Sequence, residues 1–420
     1  MVHVKVLIIN YRYFISGGPE RYLFNVKKLL EENGHEVIPF SIKSYRNEES
    51  EYENYFAEPM GGQDVHYFHE GKKNIRYAID TVARLFYSFH VRNKLSKLIV
   101  NEKPDVAYIL HHYNKLSPSV ISACKRHDVR VVMRLSDFFL FCPQAHFLRN
   151  GVICEECQQK SLLSCVRNKC IKNSRIGSLL KATALYFHKY ILKIYDDVDK
   201  FVCTTDFMKN KLIDDGVDAD RVRVIRTFVN NHDEDLYDTK EDNYILYFGR
   251  FSYEKGVDIL INAYYKSRLY DAGIRLILVG GKLSDIKGVD VEILEKVGNY
   301  VTTYGFLPAE KLEPLIKECM FTVVPSRWYE NLPNTILESY KFSRPVIASN
   351  VGSLPEAVID GETGLLFRNE SISDLSKHLK LLALDDSTRI QMREEILLNA
   401  ATYSHGVHYK KLIDVLEGIN

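Results

Sequence analysis

The chain has 420 residues, 46% hydrophobic and 26% charged, with a formal net charge of +1. These are ordinary globular values, which exclude a disordered, collagen-like or coiled-coil protein, and the length predicts two to three domains. The charge is uneven: residues 1–200 hold 30 Lys and Arg against 21 Asp and Glu, so +9, and the remainder is −8. A basic first half is expected to face something anionic. No nucleic-acid module pattern is present, so nucleic acid is not expected as a partner. No apolar run reaches 18 residues, and the start, MVHVKVLIIN, reads as a buried strand, not as a signal peptide. A cytoplasmic protein is expected.

In chain order, Val4–Ile9 reads as a strand, followed by a loop holding Gly17-Gly18 and a helix from about Pro19 to Glu32. Asn33-Gly34 ends that helix, and Glu36–Pro39 starts the next strand. Pro104–Leu110 and Val129–Met133 are two more short apolar runs, and the segment between carries Val120 and Cys124 at helical spacing. A long apolar and basic helical stretch covers 176–199, and strand-like Phe201–Cys203 follows. A second series has strands at Tyr244–Phe248, Arg275–Val279, Tyr300–Tyr304, Phe321–Val324 and Pro345–Ala348, and the last twenty residues read as helix. Alternating strands and helices predict an α/β protein with doubly wound parallel sheets. We expect two Rossmann-like domains facing a cleft, 1–199 and 200–399, with a helix at about 400–420 packing back on the first.

Two segments carry chemistry. Pro325–Glu338 follows the strand Phe321–Val324; Pro333 fits the first turn of a helix, which puts Glu330 in the loop ahead and Glu338 in the second turn. The free N–H groups near Asn334 and Thr335 form a site for phosphate, and the two carboxylates flank it, as acceptors suited to ribose and sugar hydroxyls. Tyr247–Asp258 follows the strand Tyr244–Phe248; Gly249 and Gly256 allow close backbone approach, Arg250 offers a fork for phosphate oxygens and Lys255 a compact charge.

Together these segments resemble the retaining glycosyltransferases of family 4, which have the GT-B fold. The family's Glu-seven-Glu motif matches at Glu330 and Glu338, and its Gly-Arg…Glu-Lys-Gly segment at Gly249, Arg250, Glu254, Lys255 and Gly256. Pro345–Ser349, Val351–Glu356, Asp360–Leu366, Gly17–Glu20 and Gly34–Val37 are similar to the family too. The resemblance implies a nucleoside-diphosphate sugar as donor substrate, with Arg250 and Lys255 on the diphosphate, Glu338 on the ribose and Glu330 on the transferred sugar. Asn334 and Thr335 would offer backbone N–H groups, and the Gly17-Gly18 loop would approach across the cleft. It implies transfer to a hydroxyl of a glycan or lipid-linked glycan, with no metal required if Arg250 and Lys255 supply the charge. Replacing Glu330 or Arg250 by Ala is expected to abolish transfer with little change in melting temperature. One departure is Ser136, which stands where the family commonly has a His reaching the donor sugar; His111, His112 or His146 could substitute. A non-catalytic nucleotide-sugar-binding subunit and a GT-B-like sugar-nucleotide epimerase are the rival readings.

Three further features remain. Cys154, Cys157, Cys165 and Cys170 are spaced compatibly with four thiolates around a structural zinc. The acidic triplets Asp218-Ala219-Asp220 and Asp233-Glu234-Asp235 follow no apolar strand and read as loop or cap acids. Two basic stretches, with Lys72, Lys73, Arg76, Arg84, Arg92, Lys94 and Lys97 in one and Arg175, Lys181, Lys189 and Lys193 in the other, are interleaved with apolar residues. They suggest peripheral contact with an anionic membrane.

Overall fold

A computed structural model describes residues 3–62, 75–228 and 241–418. Lys72, Lys73 and Asp233-Glu234-Asp235 lie outside the described residues. The chain folds around two six-stranded sheets, each wholly parallel. The first contains β1 (Lys5–Asn10), β2 (Glu36–Phe40), β3 (Val106–His111) and β4 (Arg130–Leu135). A small antiparallel hairpin, β5 (Leu148–Arg149) and β6 (Val152–Ile153), interrupts before β7 (Lys200–Cys203) and β8 (Val222–Val224) complete that sheet. The second contains β9 (Tyr244–Phe248), β10 (Arg275–Val279), β11 (Val301–Tyr304), β12 (Phe321–Val324), β13 (Val346–Ser349) and β14 (Gly364–Phe367).

The strand order is β2-β1-β3-β4-β7-β8 in the first sheet and β11-β10-β9-β12-β13-β14 in the second. Each is a doubly wound order, and the chain reverses direction across the sheet between β1 and β3, and between β9 and β12. Ligands in such sheets bind beyond the carboxyl ends of the strands at those points. The buried runs Val6–Ile9 and Tyr244–Phe248 are apolar without alternation because helices cover both faces.

Two expectations change. The first domain does not end at 199: β7 pairs with β4 and β8 with β7, so the first sheet extends to Val224 and the second begins at Tyr244. The long helix of 176–199 breaks into an α-helix, Arg175–Tyr186, a π-helical turn, Phe187–Ile191, and a 3-10 turn, Ile194–Asp197. The helix His405–Glu417 returns to the first sheet, burying Leu412 and Leu416 with Val6, Ile8 and Tyr22.

Candidate functional site

The loops after β9 and β12 meet at the switch point of the second sheet. Gly256 has φ +68°, and a Cβ there would lie 1.9 Å from the Pro325 carbonyl oxygen, so only glycine lets the two loops touch. Buried Arg327 locks them further: it makes a bidentate pair with Asp258, at 2.7 and 2.6 Å, and donates to the Tyr253 carbonyl at 2.7 Å.

This clamp brings Glu330 to Lys255. Three donors converge on one oxygen, Glu330 Oε1: Lys255 Nζ at 2.6 Å, Ser326 Oγ at 2.7 Å and Trp328 Nε1 at 2.8 Å. Burial alone would raise the Glu330 pKa, but Lys255 and these hydrogen bonds outweigh it and hold the carboxyl below its ordinary value. Oε2 takes no hydrogen bond among the described residues and is left for a ligand. Lys255 spends one of its three N–H donors on Glu330, and its ammonium lies 5.5 Å from the centroid of the Trp328 ring. Arg250 is 72% exposed, 3.7 Å from Glu254, and so free to swing toward an anion.

The helix after this loop is Asn334–Lys341, with Pro333 at the N-cap, one position earlier than the sequence suggests. Glu338 sits in its second turn. Desolvation raises its pKa, partly offset by Arg21 of the first domain, which donates to it at 2.9 Å. Across the cleft, the helix Gly18–Glu32 begins after Gly17. A Cβ on Gly18 would lie 2.8 Å from the Asn334 side-chain nitrogen, so two helix N-termini, one from each domain, face each other at close range. Lys255 thus meets Glu330, and Gly18 and Arg21 of the first domain meet Asn334 and Glu338, with Gly17 and Thr335 their chain neighbours and Arg250 exposed beside Glu254.

The domains are tied beside it. Asn331 donates to the Leu135 carbonyl at 3.1 Å and accepts from Thr204, and Glu356 accepts from the backbone N–H of Asp206 at 2.7 Å. From the first domain, His146 reaches over: its ring centroid is 5.1 Å from that of Trp328. His111 instead pairs with Asp137 at 3.3 Å, and His112 is buried, its pKa pushed down to about 3 by desolvation. Of the three histidines, His146 is the one whose ring packs against a residue that contacts Glu330. Trp328 and Ser326 escaped the sequence reading; the signal available was that the chain's single tryptophan lies inside the acidic motif. Arg21, next to the Gly-Gly-Pro-Glu turn, escaped it as well.

The four cysteines do not assemble the expected zinc site. Cys165 donates toward the Ser178 carbonyl at 4.0 Å, and all eight cysteines are free. Among the described residues, no group of three or more His, Cys, Asp or Glu is placed to hold a metal ion. Ion pairs also tie the 154–170 segment: Lys211 binds Glu155 at 2.7 Å, and Glu156 pairs with Arg149 at 3.4 Å and with Arg167 at 3.0 Å. Two of the expected surface cations are interior instead. Arg84 is buried, donating to the carbonyls of Lys115 and Glu58 at 2.6 Å each, and Lys189 pairs with Asp215.

Comparison with known proteins agrees with this geometry. The family model for Glycosyltransferase Family 4 matches residues 16–232, and that for Glycosyl transferases group 1 matches residues 229–397. An uncharacterized glycosyltransferase of Methanocaldococcus jannaschii is 32% identical over 54% of this chain and 60% of its own length. A D-inositol 3-phosphate glycosyltransferase of Corynebacterium aurimucosum is 30% identical over 38% of this chain and 39% of its own length. The matched part is therefore under two thirds of either relative. Among solved structures, Anabaena HepE in complex with UDP has a TM-score of 0.64 at 16% identity, covering 99% of this chain and 100% of that one. Sucrose-phosphate synthase of Thermosynechococcus elongatus has a TM-score of 0.65 at 16% identity, covering 99% of each. One family model covers the first sheet from β2 onward and the other the second, meeting between them; the chain belongs to glycosyltransferase family 4 and has the two-domain GT-B fold.

Proposed function

We propose that this protein transfers a sugar from a nucleoside-diphosphate donor to a hydroxyl of a glycan or lipid-linked glycan, with retention at the anomeric carbon. The observation that carries the reading is the ionised Glu330, whose Oε1 is saturated by Lys255, Ser326 and Trp328 while Oε2 stays open beside a helix N-terminus. Oε2 would accept from the sugar's hydroxyls. The remaining Lys255 donors, Arg250 and the N–H groups of Asn334 and Thr335 would receive the departing diphosphate, whose charge grows as the anomeric C–O bond breaks. Glu338 would take the ribose after releasing Arg21. In a front-face path the acceptor's proton passes to the leaving phosphate oxygen, which asks no base of Ser136. Charge at the leaving group comes from protein cations, the sense in which no metal is required.

In this reading the acceptor sits at the cytoplasmic face of a membrane. No helix among the described residues is long and apolar enough to cross a bilayer. The helices Ile75–Phe86 and Arg175–Tyr186 touch, and expose Ile79 at 63%, Ile176 at 74% and Tyr186 at 51% among exposed Arg76, Arg175 and Lys193. Apolar side chains framed by cations suit an anionic leaflet.

The test is calorimetric titration with a panel of nucleoside diphosphates, followed by NMR of the product formed with the best nucleotide's sugars. Tight binding of one nucleotide and retained anomeric configuration are expected. No nucleotide binding, or an inverted product, would remove the reading. Vesicle sedimentation at low salt should favour anionic over zwitterionic lipid.

A further inference from the structure

A small pocket opens to solvent in the first domain between the helices Ile75–Phe86 and Arg175–Tyr186 and the ends of β3 and β4. One wall is apolar, with Leu85, Phe139, Leu185 and Tyr195. The other is polar and incompletely matched. Lys181 donates to the Asn114 side-chain oxygen and, at 3.4 Å, to the Tyr113 hydroxyl, and lies 4.6 Å from the centroid of the Tyr113 ring. Neither partner is a carboxylate, and desolvation pushes the ammonium down to about 8. Beside it His112 is 2% exposed, and its Nε2 has no hydrogen-bond partner among the described residues. A half-buried cation whose hydrogen-bond partners are both neutral, next to an orphaned ring nitrogen, is costly unless a ligand completes it.

Two more observations name the ligand. The helices that form the pocket's mouth are those that expose the apolar and basic face, with Val82 and Leu180, 47% and 40% exposed, next to it. The inner end adjoins the cleft: Asp137, at the end of β4, lies within electrostatic reach of both Lys181 and His146. An anion-binding interior, an apolar mouth and a neighbouring cleft fit an amphiphile whose head is an anion.

We propose that this pocket binds the phosphate end of a lipid phosphate, with Lys181 on an anionic oxygen and the hydrocarbon leaving between the two helices into the bilayer. A glycan carried on that phosphate would extend past Asp137 toward the donor site. The inference rests on the reading of a lipid-linked acceptor and gives it an address.

Equilibrium dialysis of the full chain with dodecyl phosphate, below its critical micelle concentration, tests this. Saturable binding near one per chain is expected, at least tenfold tighter than binding of inorganic phosphate or of dodecyltrimethylammonium. Lys181→Met should weaken it at least tenfold and leave UDP binding unchanged. Equal binding of dodecyltrimethylammonium would mean apolar adsorption only, and equal binding of inorganic phosphate a free-phosphate site; either overturns the proposal, as does unaltered affinity in a folded Lys181→Met. The wild-type comparisons decide even if that variant does not fold. UDP titration in parallel reports the donor site alone, so loss of the donor reading and loss of this one are told apart.

Discussion

Arg21 Nη1 donates to Glu338 Oε1 at 2.9 Å, joining the first helix of one domain to the second turn of the helix at the other domain's switch point. The pair occupies the carboxylate that the proposed mechanism needs for ribose, so binding a nucleotide must break it. Both side chains are partly exposed, at 42% and 26%, and a pair of that kind is worth about 0.2–1 kcal/mol. The nucleoside diphosphate that the wild type binds best should therefore bind roughly 1.5–5-fold tighter to Arg21→Ala, by calorimetry. Weaker binding would instead mean that Arg21 holds the diphosphate itself.

Glu330 and Arg250 separate where the sequence treats them alike. Arg250 is on the rim, and Arg250→Ala should cut transfer about 10²-fold or more while the melting temperature stays within a degree or so. Glu330→Ala leaves Lys255, Ser326 and Trp328 without their acceptor, a loss of roughly 1–3 kcal/mol. For domains of this size that is a fall of about 2–10 °C, besides the loss of transfer. An unchanged melting temperature is therefore expected for Arg250→Ala and not for Glu330→Ala. Differential scanning calorimetry of both variants checks the contrast, and equal melting temperatures would contradict it.

His146 packs against Trp328 with the rings tilted by 46°, and Trp328 donates to Glu330, so the histidine acts on the carboxylate through one intermediate and is a positioning residue. Desolvation lowers its pKa, with Asp137 and Glu254 opposing and Arg250 reinforcing, so at neutral pH the ring is uncharged. As pH falls through that lowered value the ring gains a charge beside Arg250, and transfer should decline. His146→Ala should lower kcat about 10-fold or more with donor KM little changed, and its pH–rate profile should lose that acidic limb. An identical acidic limb in the variant would show that the ring only packs.

Much of this cleft was legible because its chemistry is carried by contiguous motifs. Glu330, Asn334 and Glu338 are set by a strand, a loop and a helix start within one segment, and Gly256 by its fit against Pro325. What escaped depends on side chains meeting from distant parts of the chain. Arg21 and Glu338 are 317 residues apart, and nothing local marks either as the other's partner. The first domain runs past 199 because β7, legible as a strand, pairs with β4, and nothing local tells which sheet it joins; β8 beyond it is three residues long, with only Val222 fully buried. The cysteine spacing points to a shared ion, but spacing carries no directions: Cys157, Cys165 and Cys170 lie within electrostatic reach of one another, yet among the described residues no group of three or more ligating side chains is placed to hold a metal. Arg84 and Lys189 look like surface cations by composition; carbonyls and a carboxylate drew them inward.

The return of the last helix to the first domain hinges on a neutral histidine. His408 Nδ1 lies 2.8 Å from the Arg226 carbonyl, which can only accept, so Nδ1 carries the proton. Nε2 is 3.2 Å from the Tyr22 hydroxyl, itself 2.8 Å from that of Tyr108. Burial, then Arg134, pushes the His408 pKa down to about 3. In the unfolded chain a histidine titrates near 6.5, so between about 3 and 6.5 the unfolded state binds the extra proton. Stability from this group is full above about 6.5 and is lost as pH falls toward 3, by as much as ~1.4 kcal/mol per pH unit. His112, also pushed down to about 3, adds a slope of the same sign. His408→Gln keeps a donor for the Arg226 carbonyl and removes the titration. Urea denaturation midpoints between pH 7 and 4.5 should fall less steeply for His408→Gln than for the wild type, while the contribution of His112 persists in both. Parallel slopes would mean that His408 is already charged in the folded protein and that the helix is held without it.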